Sequence, residues 1–175
     1  MISAVFLGSP FQQVVQAFLF MVEVPFHSKM MMWACLPIFA NLLIMKLYFG
    51  IYRKEALGWN SVIANAMTLV WVGVSSMRYI LERNFLNFDD TKTILALSML
   101  VIGLLIICVS FIHGLPEGFM YSVVSSQTIQ FFSYMCVLFI YANMPFTYIS
   151  AIAAGLLFVA IWLVFLAVRL FEPSK

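Results

Sequence analysis

Residues 59–83, WNSVIANAMTLVWVGVSSMRYILER, decide the fold. The stretch from Gly58 to Arg83 is long and apolar enough to cross a bilayer, which takes about 20 helical residues. On a helix turning by about 100° per residue, Ser61, Asn65, Thr68, Ser75, Ser76 and Tyr79 fall on one narrow arc. An amide without a partner in hydrocarbon costs several kcal/mol, so this stripe must turn away from lipid and onto protein. The helix therefore needs neighbours, and the rest of the chain supplies them.

Around this stretch, 65% of the 175 residues are apolar and 9% charged. Soluble domains are roughly a quarter charged, so these residues do not build a water-solvated surface. A formal charge of +2 is too small and too scattered for a nucleic-acid surface. Cys35, Cys108 and Cys136 all lie inside apolar runs, an odd set that reads as small buried hydrophobes rather than a disulfide framework. Residues 1–22 hold no Lys or Arg, so no cleavable secretory signal is expected. The expected fold is all-α, a polytopic transmembrane helical bundle of about five spans plus an N-terminal interfacial or re-entrant helix. Residues 1–28 form that helix and a polar node, and 29–175 form a single bundle domain.

Taken in order, Ser9-Pro10 reads as a helix start, with serine as cap and proline at the first helical position. The run from Phe11 to Val24 is short for a span, Gln12, Gln13 and Gln16 interrupt it, and Pro25 ends it. Met30–Tyr48 is the first full span, with Pro37 a kink and Lys46 within snorkelling reach of the interface. Thr93–Ile112 is apolar on every face and suits lipid or a partner. Phe119–Asn143 is polar in its first half, and Phe146–Phe171 closes the set. The short link Asn143-Met-Pro145 makes these last two an antiparallel hairpin.

Small residues at Ser150-x-x-x-Ala154 and Ala151-x-x-x-Gly155 allow close helix approach. Trp33 and Trp59 sit near span ends, whereas Trp71 and Trp162 are mid-span and expected to pack against protein. Alternation puts Arg53, Lys54, Arg169 and Lys175 on one face of the membrane, and Lys29, Arg83 and Lys92 on the other. The excess makes the C-terminus cytoplasmic.

The most informative constellation joins the second and fourth full spans, which run in the same direction. Asn65 matches Ser126 in depth, and Thr68 matches Gln130. Ser122, Ser125, Ser126, Gln130 and Ser133 share one arc of their helix. Facing arcs would make a polar seam of Asn65, Thr68, Ser126, Gln130 and Ser133. Such a seam serves either as interhelical glue, worth about 0.6 kcal/mol per pair, or as a path or ligand site. Serine and threonine can bond back to their own helix, but Asn65 and Gln130 do so less cheaply. Arg78, four residues before Glu82, reads as an interfacial anchor with an i,i+4 partner.

His27 and His113 fall on opposite sides of the membrane and cannot share a metal. Neither H-E-x-x-H nor G-x-S-x-G occurs. If helical geometry begins near His27, then His27, Met31 and Cys35 stack on one stripe, a donor set that suits copper(I). No acidic residue lies mid-span, which argues against proton-coupled transport. The expected function is that of a non-catalytic integral membrane subunit of a larger assembly. Its partners are the lipid bilayer and other membrane subunits, in a hetero-complex ahead of a homo-oligomer, with no nucleic acid. Lipid is the expected companion and no cofactor is called for. The alternative is a small channel or transporter whose path is the seam, and the third reading is a copper- or quinone-handling subunit of a membrane oxidoreductase.

Overall fold

A computed structural model describes residues 7–51, 58–83, 87 and 90–171. Among them are seven α-helices and no strand. The helices are α1 (Pro10–Glu23), α2 (Lys29–Ile51), α3 (Trp59–Glu82), α4 (Thr91–Phe111), α5 (Glu117–Val123), α6 (Ser126–Ala142) and α7 (Tyr148–Phe171). Two of them, over Thr91–Phe111 and Tyr148–Ala167, are long and apolar enough to cross a membrane. The pair Pro10–His27 and Lys29–Met45, bent by 105°, makes a third if it is one broken span.

The bend follows from the sequence. Ser9 and Gln12 close a reciprocal capping box at the start of α1, with Pro10 in the first turn. Pro25 cannot continue the α-helical ladder, so α1 stops at Glu23 and the chain tightens into a 3-10 turn over Val24–His27. Ser28 is extended (φ −135°, ψ 118°), and its hydroxyl accepts from the Met31 amide at 3.4 Å to start α2 afresh.

The centre of the molecule is α3. Its closest neighbour is α4, and it also packs against α6 and α2. Two glycines bring α3 and α4 together. A Cβ on Gly73 would lie 2.7 Å from the Leu100 backbone nitrogen, and one on Gly103 would lie 3.0 Å from the Ala66 carbonyl oxygen. Backbone thus meets backbone, as at the small-residue contacts that hold membrane helices together. Thr93, Ala96, Met99, Gly103 and Ser110 make the buried stripe of α4, and the rest of that helix is largely exposed and apolar.

Several expectations change at this level. The span read as Phe119–Asn143 is two helices, broken at Val124 and Ser125, where ψ rises to 32° and then to 138°. Ser122 therefore lies on α5, exposed and off the arc of Gln130. The short link after α6 does give the antiparallel order expected, with Phe131 and Phe158 set back to similar extents from the link. The two helices are nonetheless not closely packed. Among the described residues, α7 packs chiefly on α1 and meets α6 through rings, Phe131 on Phe158 with centroids 5.0 Å apart. Trp71 and Trp162 are 48% and 49% exposed, so both belong to the outer apolar surface rather than to the core. Cys35 and Cys136 are buried as expected, but Cys108 is exposed on the outer face of α4. Arg53, Lys54 and Lys175 lie outside the described residues.

Candidate functional site: a polar seam between three helices

The stripe on α3 does turn inward. Asn65 is 2% exposed and Gln130 1%, and Thr68, Ser76 and Tyr79 are buried along the same stripe of α3. Asn65 is the hub. Its Oδ1 accepts from Ser126 Oγ at 3.0 Å, from Asn41 Nδ2 at 3.3 Å and from Gln130 Nε2 at 3.4 Å. Its own Nδ2 donates to the Val124 carbonyl at 2.8 Å. Thr68 Oγ1 accepts from Asn41 Nδ2 at 3.0 Å and from Gln130 Nε2 at 3.3 Å, and donates back to the Ala64 carbonyl at 3.3 Å.

Asn65, Thr68, Ser126 and Gln130 are thus brought together at the expected depths. Ser133, one turn along α6 from Gln130, is fully buried, and its hydroxyl has no hydrogen-bond partner. Gln130 Oε1 likewise has none. Ser61 bonds locally, its hydroxyl donating to the Gly58 carbonyl at 2.8 Å.

Two contributors were missed from the sequence. Asn41 brings α2 into the network, and the signal was present: a lone amide inside the apolar run Met30–Tyr48 faces the same desolvation penalty as Asn65. The second is the Val124 carbonyl, freed by the break between α5 and α6. Its signal was Ser125, a residue type that favours the cap of a new helix.

Beyond the seam, the far end of α3 is fastened by aromatic stacking. Tyr79 stacks on Tyr141 with ring centroids 4.2 Å apart, and the Tyr141 hydroxyl donates to the Ser75 carbonyl at 2.8 Å. The Arg83 guanidinium lies 4.9 Å from the Tyr79 ring centre. Asn143 ends α6 in the left-handed region (φ 50°), a conformation asparagine tolerates, and accepts a hydrogen bond from Lys92 Nζ. Arg78 and Glu82 are exposed and paired, with Nε 2.7 Å from Oε1.

The stripe of His27, Met31 and Cys35 does not form as laid out. Helical geometry in α2 begins at Lys29, so the count does not run back to His27. His27 is exposed on the 3-10 turn, whereas Met31 and Cys35 are buried in the core. Among the described residues no three His, Cys, Asp or Glu side chains cluster as metal ligands. His113 instead packs edge-on against Trp59, with centroids 4.7 Å apart. No family model, no curated protein and no solved structure matches the chain.

Proposed function

We propose that the protein is a multi-pass integral membrane subunit without chemistry of its own, working inside a larger membrane assembly. In this reading α2, α3, α4, α6 and α7 are the five spans, α1 lies at the interface, and the C-terminus is cytoplasmic. The observation that carries it is how the polar side chains are used. Asn41, Asn65, Thr68, Ser126 and Gln130 direct their hydrogen bonds at one another and at the Val124 and Ala64 carbonyls, joining three helices. A network turned in on itself is suited to fixing helix register. The outer faces of α4 and α7 are left apolar, for lipid and for other subunits. Native mass analysis after purification in mild detergent tests the proposal. Co-purifying membrane partners are expected; a stable, active lone monomer would sink it.

The second reading, a small channel or transporter, is favoured by one feature. Gln130 Oε1 and Ser133 Oγ are buried polar atoms that no helix uses. Gln130→Leu separates the two readings. In a path it abolishes transport or changes selectivity while the fold survives. In interhelical glue it lowers stability or assembly alone.

A further inference from the structure

Gln130 Oε1 and Ser133 Oγ lie three residues apart on α6, so they share one face of that helix. Both side chains are at least 99% buried. The amide donors of the seam itself are aimed elsewhere: those of Gln130 and Asn41 at Asn65 and Thr68, that of Asn65 at Val124. Buried polar atoms are as a rule satisfied, by protein or by ordered water. Two unsatisfied oxygens on one face of one helix therefore define a site that wants a donor.

We propose that this site holds a single buried water, donating one hydrogen to Gln130 Oε1 and the other to Ser133 Oγ. The chemistry of the lining selects the guest. Gln130 Oε1 can only accept, which disfavours an anion, whereas the Ser133 hydroxyl can accept or donate. The network holds no carboxylate, so a divalent cation would sit with its charge uncompensated. Water is uncharged, and buried waters characteristically serve polar groups that the chain leaves unmatched.

The packing also confines it. The Thr68–Gln130 and Tyr141–Ser75 hydrogen bonds fix the register of α3 against α6. Val72 and Val137, both fully buried, each lie one turn further along, after Thr68 on α3 and after Ser133 on α6. The next side chains on that side are thus apolar, with buried Ser76 a turn beyond Val72. The water serves a structural seam and a path alike, so the inference rests on neither functional reading.

Two measurements on the full chain test it. Water-edited solid-state NMR of the protein in lipid vesicles reads transfer from water to the Gln130 side chain, which is expected to precede transfer to the Val137 methyls. Ser133→Ala is expected to lower the thermal midpoint by about 2–4 °C, because it removes one of the water's anchors. An unmatched hydroxyl, or one that rotates onto the carbonyl four residues back, predicts no loss. Absence of early transfer to Gln130, or a midpoint unchanged or raised in Ser133→Ala, overturns the proposal.

Discussion

The bundle of α2, α3, α4 and α6 and the flank of α1 and α7 are both apolar, but they are held in different ways. In the bundle, each contact of α3 has a specific fastening. Glycines bring α4 to its backbone, amides join it to α2 and α6, and stacked tyrosines tie its far end. In the flank, Ile149, Ser150, Ala153 and Leu157 are buried, whereas Val159, Trp162, Leu163, Val164 and Leu166 further along α7 are exposed. Among lipid tails, one apolar surface gains little by exchanging lipid for another apolar surface. Apolarity therefore puts a helix in the membrane, while close approach and hydrogen bonds choose its neighbours.

The hardest blow to this contrast falls on the α3–α4 contact. Gly73→Leu would drive a side chain into the Leu100 backbone, 2.7 Å from where its Cβ would stand. Neither backbone can step aside without parting the helices. The expected cost is about 3 kcal/mol, the upper part of the overpacking range. Thermal unfolding in detergent, followed by loss of helical signal, measures it. A variant as stable as the parent would show that the two helices do not touch here.

Next in size is the seam. Asn65→Leu keeps the volume similar but leaves the Val124 carbonyl without its donor, and Ser126, Asn41 and Gln130 without a shared acceptor. Leaving such groups unmatched costs about 1–3 kcal/mol, and about 2 is expected here because Thr68 still accepts from Asn41 and Gln130. The same detergent unfolding experiment reads it. No loss at all would mean the network holds nothing together.

How much of this was legible in the sequence follows the same division. Asn65, Thr68, Ser126 and Gln130 could be placed because polar groups among apolar residues have few ways to be satisfied. Their spacing on a helix then gives depth and direction. The apolar positions offered no such constraint. Trp71 and Trp162 were expected inside, yet a large ring has no polar need to force it inward, and both face out. The close approach at Gly73 and Gly103 was invisible because a glycine in an apolar helix does not announce which backbone it will meet. The break at Val124 is hidden in the sequence because Ser122, Ser125 and Ser126 also fit a stripe on one helix. Ser125 is instead the residue at which a second helix begins.

The smallest expected effect comes from the flank, and it is the sharpest control on the other two. Gly155 sits within the small-residue pattern of α7, as Gly73 sits within an apolar stretch of α3, so the sequences alone rank them alike. Nothing lies within 4 Å of a Cβ built on Gly155. Gly155→Leu therefore meets no obstacle in the chain itself and gains helix propensity, up to about 1 kcal/mol. The midpoint of the isolated protein should stay level or rise slightly, whereas that of Gly73→Leu collapses. If Gly155→Leu instead destabilises the isolated chain, the outer face of α7 packs against its own bundle, and the contrast between flank and core fails. If the isolated chain is unaffected but a co-purifying partner is lost, the face is covered by another molecule. The flank would then be a surface whose neighbours come from outside the chain.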